Sequence, residues 1–311
     1  MDLTVRAPAG DADFSLITEL IHAAPPLSRH LVDFPWRLSS PALQSADDAR
    51  LWATADGTLV GFAAWQVWWA TLDVYVHPGS QRRDVEAAVF DWAARHFQAL
   101  DRERGYPLPY WIEAREDDAE GLALAERHGY HLDDADAYVM MSRALDEPLP
   151  TPVPPAGFTI RPLAGVGEVD AYVALHRRAF ESTSMTAPWR ARTLRMPPYR
   201  PQLDLVATAP DGQLAGFCVG WADLDRRVAQ IEPLGVDPAF QGQGVGRALL
   251  LETLRRFQAH GADLALVETE VSRSFARHAY EAVGFRPVYR TLRKGQWLSR
   301  RDGHAGDEVS A

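Results

Sequence analysis

The chain has 311 residues, of which 47% are apolar and 24% are charged, as in an average globular protein. This composition excludes a disordered, collagen-like or coiled-coil chain, and no apolar run approaches the ~18 residues of a membrane-spanning helix. The net charge is −10, from 42 acidic and 32 basic side chains. Nucleic acid is therefore not an expected partner, since phosphate binding needs a basic surface.

Several further classes of protein are excluded by single features. The one cysteine, Cys218, can form neither an internal disulfide nor a cysteine-based zinc site. The histidines show no metal-ligand spacing, so no metal is expected. The first residues, Met1–Arg6, lack the basic start and apolar core of a secretory signal. We expect a cytoplasmic protein that neither spans nor binds a membrane.

Prolines divide the chain. Residues 147–157 carry a cluster of them: Pro148, Pro150, Pro152, Pro154 and Pro155. Prolines at this density favour extended conformations over helix or interior strand. The pattern predicts a linker between a domain over 1–146 and a second domain over 158–298, followed by a disordered polar tail over 299–311.

The two halves resemble each other. Leu59–Ala63 matches Leu214–Cys218, and Gly129-Tyr130 matches Gly284-Phe285. Such matches keep the same order at an offset of about 155 residues, which indicates a duplicated domain of about 145 residues.

In the second half, hydrophobic periodicity predicts the elements in chain order. They are a strand over 158–161, a helix over 168–180, strands over 203–208, 213–221 and 229–236, a helix over 244–260, a strand over 264–269, a helix over 272–283 and a strand over 285–292. Strands mixed with helices in this way predict an α/β fold. We expect two tandem domains, each a mixed, mostly antiparallel sheet flanked by helices.

The most informative stretch is Gln230–Arg247, which reads as a strand, a glycine-rich loop and the start of a helix. Gly242, Gly244 and Gly246 allow sharp turns and close approach of a ligand. The first N–H groups of a helix have no internal partner and lie at the positive end of its dipole. Such a site suits a phosphate or diphosphate, to which Arg247 can add a charged contact.

A tight turn with a glycine cap also fits this loop. Two other phosphate-binding motifs do not. A Walker loop needs Lys followed by Ser or Thr where Arg247-Ala248 stands. A dinucleotide fingerprint needs a different glycine spacing and an earlier position in its domain.

Two motifs resemble the GNAT superfamily of N-acetyltransferases. Gln241-x-x-Gly244-x-Gly246, after a strand ending in Val236-Asp237-Pro238, looks like the acyl-CoA motif of that superfamily. Tyr280-Glu281-Ala282-Val283-Gly284-Phe285 is similar to its second signature. The resemblance covers about residues 157–295, and residues 1–145 only as a faded copy. The tandem arrangement resembles that of mycothiol synthases.

The resemblance implies transfer of an acetyl group from acetyl-CoA, as cosubstrate, to a primary amine of a small molecule or peptide. Glu232 would take a proton from the attacking amine, directly or through water, and Tyr280 would protonate the departing thiolate. The strand edge would pair with the pantetheine amides. The implied cofactor-binding residues are Leu234, Gly235, Val236, Gln241, Gly242, Gln243, Gly244, Val245, Gly246 and Arg247.

Alternatives remain at three positions. Arg273 stands where relatives carry an asparagine, so either a neighbouring serine substitutes or Arg273 contacts a cofactor phosphate. Tyr280 also fits an ordinary packed tyrosine, and Glu232 an edge-strand carboxylate in a salt bridge. Pro233 breaks the donor pattern of its strand and predicts a bulge or splay there.

The first half has lost these features. Gln81 aligns with Gln241, but Arg82, Asp84 and Glu86 stand opposite the three glycines, and Ala125 stands opposite Tyr280. Carboxylates at the helix start would repel a diphosphate. We therefore predict a first domain that keeps the fold and binds no acyl-CoA. Its tryptophans fit either packing or an aromatic wall for an amine.

In the second half, the resemblance implies that residues 181–189 lie near the acceptor, while the residues themselves also fit a cap, with Ser184 or Thr186 capping a helix that begins near Pro188. Three functions stay open. They are acetylation of a general primary amine, acetylation of a sugar–cysteine amine, and non-catalytic binding of an acyl-CoA. We expect a monomer.

Overall fold

The computed structural model describes residues 3–23, 34–41, 45, 47–79 and 81–296. The chain forms two compact units. The N-terminal unit comprises Met1–Ser28, Ala42–Asp134 and Leu292–Ala311, and the C-terminal unit comprises Arg29–Pro41 and Ala135–Thr291. The units thus divide the chain at other places than the proline-rich stretch. The predicted tail over 299–311 lies outside the described residues.

The helices and strands follow one another in a repeated order. In the first part of the chain they are β1 (Thr4–Arg6), α1 (Phe14–Ala23), α2 (Phe34–Leu38), β2 (Ala49–Ala53), β3 (Leu59–Gln66), β4 (Thr71–Val76), α3 (Arg82–Arg104), β5 (Tyr110–Arg115), α4 (Ala119–Arg127) and β6 (His131–Ala144). In the second part they are β7 (Thr159–Pro162), α5 (Val169–Phe180), α6 (Ala187–Thr193), β8 (Asp204–Thr208), β9 (Leu214–Asp223), β10 (Val228–Val236), α7 (Val245–Ala259), β11 (Leu264–Glu270), α8 (Ser274–Glu281) and β12 (Arg286–Gln296).

In the N-terminal unit the strand order is β1-β2-β3-β4-β5. The pairs are antiparallel except for β4 with β5, which is parallel. Helix α3 packs on one face through Val89 and Phe97, and the Phe97 ring lies 4.9 Å from that of Trp65 on β3. The first-half tryptophans Trp52, Trp65 and Trp92 are buried in this unit.

In the C-terminal unit the strand order is β6-β11-β10-β9-β8-β7, and only the β10–β11 pair is parallel among the register pairs of the described residues. Each half therefore repeats an antiparallel ladder that ends in a parallel pair. The mixed, mostly antiparallel sheet and the duplication predicted from the sequence are confirmed. The predicted elements of the second half are all present, with ends shifted by a few residues.

Strand β9 lies between two helix layers, and its sequence shows why. Residues 214–221 are buried without alternation, as expected for a strand covered on both faces. On one face Phe217 packs against Tyr172 of α5, with ring centroids 4.9 Å apart. On the other face Gly220 gives room to Phe257 of α7, because a Cβ there would overlap the phenyl ring.

The packing at Gly220 generates a stability prediction. Gly220→Ala should lower the free energy of unfolding by about 1–3 kcal/mol, since the new methyl group overpacks the contact with α7. Gly167→Ala is the matched control, because a Cβ at Gly167 meets nothing within 4 Å and its backbone has no positive φ. The control should change stability by less than about 0.5 kcal/mol in urea unfolding. Equal effects of the two variants would contradict this packing.

Candidate active site

The two parallel strands of the C-terminal unit separate halfway along their length. Strands β10 and β11 pair from Val228–Leu264 to Ile231–Val267, and no pair follows among their described residues. Strand β11 nevertheless continues to Glu270, paired with β6, and β10 continues to Val236, paired with β9. The edge of β10 that faces β11 is therefore left without a strand partner over its last residues.

A bulge marks the point of separation. The β10–β9 register passes from Ile231–Gly220 to Leu234–Cys218, so that β10 has one residue more than β9 in this interval. The extra residue falls at Glu232-Pro233, as the proline predicted. The indole Nε1 of Trp221 donates a hydrogen bond to the carbonyl oxygen of Glu232 (2.8 Å), which fixes the bulge.

The residues expected to contact pantetheine lie on the separated part of β10. Leu234 and Val236 are half-buried and Gly235 is buried. A Cβ on Gly235 would overlap the ring of Phe217, so this glycine is required by the packing of β9 and α5. Sequence reasoning had not anticipated this requirement.

The loop after β10 is held by side chains. The carboxylate of Asp237 accepts hydrogen bonds from Nε of Arg178 on α5 (2.6 Å) and from the backbone N–H of Ala239 (3.0 Å). Burial alone would raise the pKa of Asp237, but these two bonds hold it below its usual value. The amides of Gln241 and Gln243 donate to the carbonyl oxygens of Val236 and Ala239 at 3.2 and 3.1 Å.

The glycines of this loop have the conformation expected for an open cradle. Gly242 and Gly244 have φ angles of +73° and +90°, and a Cβ on either would meet nothing within 4 Å. Helix α7 begins at Val245, and its first bond runs from the N–H of Ala248 to the oxygen of Gly244 (3.0 Å). The N–H groups of Val245, Gly246 and Arg247 thus precede the helical ladder and are available to an anion.

The two arginines proposed to contact the cofactor, Arg247 and Arg273, are exposed. The side chain of Arg247, in the first turn of α7, is exposed. Arg273, at the start of α8, pairs with Glu270 (Nε–Oε2 3.0 Å) at the surface. Both alternatives at this position, a contact of Arg273 with a cofactor phosphate or a neighbouring serine in place of the asparagine of relatives, remain predictions.

Tyr280 lies on α8, in the core formed with α7 and the sheet. It is 7% exposed, and its ring meets that of Phe285 edge-on at 5.9 Å. Burial raises the pKa of the Tyr280 phenol, and the negative charge of Glu232 adds to the increase. The phenol therefore stays protonated at neutral pH and can donate a proton. Glu232, half-buried on β10, is close enough for its charge to act on this phenol.

A buried polar cluster lies on the α5 side of the sheet, and sequence reasoning missed it. Arg190 of α6 is 0% exposed, forms an ion pair with Asp204 of β8 and places its Cζ 3.7 Å from the ring centroid of Tyr172. The hydroxyl of Tyr199 donates to Oδ2 of Asp204 (2.7 Å). Burial, with Arg190 and Arg177, lowers the pKa of the nearby His176 to about 4, so its ring is neutral.

The structure also shows which residue caps α6. Thr186, and not Ser184, caps α6, since its Oγ1 accepts from the N–H of Trp189 (3.3 Å). In the part of the chain that the structure describes, no three His, Cys, Asp or Glu side chains form a group that could hold a metal ion. Within the same part, every helix falls short of the length and apolar content needed to cross a bilayer.

The corresponding place in the N-terminal unit is filled by charges. At the start of α3, Arg82 pairs with Glu86 (2.6 Å) and with Glu120 (2.9 Å). Glu86 is 5% exposed and also lies 3.8 Å from Arg127. Ala125, opposite Tyr280 in the alignment of the halves, is fully buried.

Comparison with known proteins identifies relatives. Residues 170–285 match the profile described as "Acetyltransferase (GNAT) family". A mycothiol acetyltransferase of Thermomonospora curvata is 31% identical over 282 residues, which are 86% of this chain and 90% of that protein. A mycothiol acetyltransferase of Salinispora tropica is 31% identical over 248 residues, or 75% and 76% of the two chains.

A solved structure has the same tandem fold. It is a tandem GNAT protein from the clavulanic acid biosynthesis pathway, with a TM-score of 0.66 and 18% sequence identity. The match covers 97% of this chain and 100% of that one.

The ion pair between Asp237 and Arg178, which holds the loop, generates a prediction about the dependence of stability on pH. The pKa of Asp237 is lowered from 3.8 in the folded protein, so its carboxylate stabilises the fold above about pH 4, and the contribution is lost as pH falls through the folded value. Asp237→Asn should therefore lower the free energy of unfolding at pH 7. The loss should be only about 1 kcal/mol, because Arg178 is half-exposed and solvent weakens the ion pair. The difference from the parent should shrink below about pH 4 in urea unfolding. A difference that is constant from pH 7 to pH 3 would contradict the ion pair.

Proposed function

We propose that this chain, which belongs to the GNAT family of acetyltransferases, transfers an acetyl group from acetyl-CoA to the primary amine of a sugar–cysteine conjugate. Its relatives at 31% identity support the family and the acyltransferase activity. Members of the family use an acyl-CoA cosubstrate. The acetyl donor, the acceptor and the residue roles given below are the parts that we propose.

The separation of β10 from β11 carries the proposal. It leaves the edge of Leu234–Val236 without a strand partner, and an extended pantetheine arm can pair there as an added strand would. The same strand leads into the glycine loop, where the first N–H groups of α7 can bind a diphosphate. Open space above Gly242 and Gly244 supports the fit, as does the exposed Arg247.

The reaction we propose needs no covalent bond to the protein. The amine nitrogen attacks the thioester carbonyl, the C–N bond forms and the C–S bond breaks. Glu232, next to the bulge, takes the proton from the nitrogen, directly or through water. Tyr280 gives a proton to the sulfur, and its raised pKa keeps it protonated before that step.

The acceptor follows from the relatives. Two of them are named mycothiol acetyltransferases and are aligned with this chain over 76% and 90% of their own length. A sugar–cysteine amine is therefore favoured over polyamines, aminoglycosides and peptide N-termini. Cysteinyl-glucosamine is a direct probe. Acetylated product should be measured by mass spectrometry, because the thiol of this acceptor would disturb free-thiol detection.

The start of α3 in the N-terminal unit is unsuited to acetyl-CoA. Its Arg82–Glu86 and Arg82–Glu120 pairs occupy the start of α3, and the carboxylates there oppose a diphosphate. We propose one acetyl-CoA site per chain, a monomeric protein and a cytoplasmic location.

Calorimetry with acetyl-CoA tests the loop. The parent should bind one acetyl-CoA per chain, and Gly244→Ala should weaken binding about tenfold or more, because an L residue with positive φ costs about 1–2 kcal/mol. Gly212→Ala is the matched control, since Gly212 has φ +87° and the same open space but lies in the β8–β9 turn. Equal affinities of the two variants, or two acetyl-CoA molecules per chain, would contradict the proposed site.

Turnover with cysteinyl-glucosamine tests Tyr280. Tyr280→Phe should bind acetyl-CoA normally and lose about 10²–10⁴-fold in kcat, because it removes the proton donor and keeps the ring. Tyr130→Phe, which changes a buried tyrosine of the N-terminal unit, should keep the parent kcat. If the parent binds acetyl-CoA tightly and acetylates no amine, the chain is an acyl-CoA sensor and the proposed function fails.

A further inference from the structure

We infer that residues 34–41, which precede the family-matching region by more than a hundred positions, are a positioning element for the acceptor end of the active site. These residues belong to the first half in sequence and to the C-terminal unit in structure. The match to the GNAT profile starts at residue 170 and does not include them. The inference rests on the proposed function, since it concerns how Glu232 and the acceptor are placed.

Residues 34–41 contact the outer face of α6. The Trp36 ring stacks on that of Trp189, with centroids 4.8 Å apart and planes at 26°. The Oγ of Ser39 accepts from Nε1 of Trp189 (3.2 Å) and lies 3.0 Å from Oγ1 of Thr193. The guanidinium of Arg192 donates two hydrogen bonds to the backbone carbonyl oxygen of Ser39, at 2.8 and 2.6 Å.

The contacts between residues 34–41 and α6 are formed largely by buried side chains. Trp36 is 6% exposed, Ser39 0%, Trp189 2% and Thr193 0%. A stacked aromatic pair with buried hydrogen bonds on the same two elements fixes position and rotation together. The segment is thus fitted to α6.

The inner face of α6 needs such support. Arg190 is buried against Asp204 and Tyr172, yet its Nε and Nη1 have no hydrogen-bond partner among the described residues. Buried donors without partners favour any movement that lets water reach them. Contacts on the outer face oppose this movement and hold Arg190 in place.

A continuous set of contacts leads from Arg190 to the proposed base. Asp204, the partner of Arg190, also accepts from the hydroxyl of Tyr199. The ring of Tyr199 meets that of Trp221 edge-on at 6.4 Å. Trp221 donates to the carbonyl oxygen of Glu232 and so fixes the bulge. A shift of α6 therefore reaches Glu232 through side chains that touch.

The loop that precedes α6 is held by both neighbouring helices, because Thr186 caps α6 and Arg177 of α5 bonds to Met185. Residues 181–186 connect α5 to α6, and the oxygen of Met185 accepts from Nε of Arg177 (3.0 Å). This is the segment expected near the acceptor. The glycine loop, by contrast, is held by Arg178, Gln241 and Gln243, none of which contacts α6 in these bonds. Loosening residues 34–41 should affect the acceptor and spare acetyl-CoA.

Steady-state kinetics separate this role from simple stabilisation. Ser39→Ala and Trp36→Phe should lower kcat/KM for cysteinyl-glucosamine roughly tenfold, through coupling along the contacts to Glu232. The Kd for acetyl-CoA should stay within about twofold of the parent. Trp92→Phe is the matched control, because Trp92 is a stacked, buried tryptophan of the N-terminal unit. It should lower thermal stability and leave both constants unchanged.

Hydrogen exchange gives a readout that does not depend on turnover. In Ser39→Ala, the amides of residues 187–193 should exchange faster than in the parent, while those of α7 stay protected. Unchanged exchange in α6, or unchanged kcat/KM in a parent that is active, overturns the inference. Equal losses of acceptor and acetyl-CoA binding also overturn it. If the parent acetylates no amine, the proposed function fails, and hydrogen exchange alone decides whether residues 34–41 hold α6.

Discussion

After Ile231, β10 leaves β11 and stays paired with β9 alone, and this divergence places the part of the candidate active site that lies on β10 and the loop after it. The unpaired edge, the bulge that carries Glu232 and the glycine loop are consecutive pieces of one strand and its continuation. A parallel pair that stayed closed to its end would leave no backbone groups for an extended ligand. The hydrogen bond from Trp221 to the carbonyl oxygen of Glu232 lies at the bulge where the two strands part.

The two units show that this fold does not depend on the site that it carries. Both have an antiparallel ladder followed by one parallel pair and a long helix on one face, and in the C-terminal unit β6 adds an antiparallel strand beyond that pair. In the N-terminal unit the start of that helix holds Arg82 and Glu86 in place of bare glycine backbone. Sheet and helix packing rely on the apolar faces, so charges could accumulate at the helix start without loss of the fold.

Much of the C-terminal unit could be predicted from the sequence, because local patterns encode it. The apolar run of β9, the proline in β10 and the alternating glycines each determine nearby backbone, and the strands, bulge and loop are found where these residues predict them. For the cap of α6 the sequence left Ser184 and Thr186 as alternatives, and the structure shows Thr186. Roles for Glu232 and Tyr280 came from the resemblance and remain proposals.

What could not be predicted depends on contacts between distant positions. Nothing local in Trp36 or Ser39 shows that they pack on Trp189, about 150 residues away. The buried Arg190–Asp204 ion pair could not be predicted either, because arginine and aspartate are usually exposed and neither residue alone indicates burial. The domain boundary at the proline-rich stretch stays a prediction from composition, whereas the two compact units are defined by contacts between distant parts of the chain.

The path of the chain between the units has a consequence for biosynthesis. The chain leaves the N-terminal unit within β6 and re-enters it within β12. There Lys294 pairs with Glu126 (2.9 Å), and Gln296 donates to the oxygen of His128 (2.9 Å). The N-terminal unit therefore includes residues that are made after the C-terminal unit, and during translation it must remain incomplete while the C-terminal unit is synthesised.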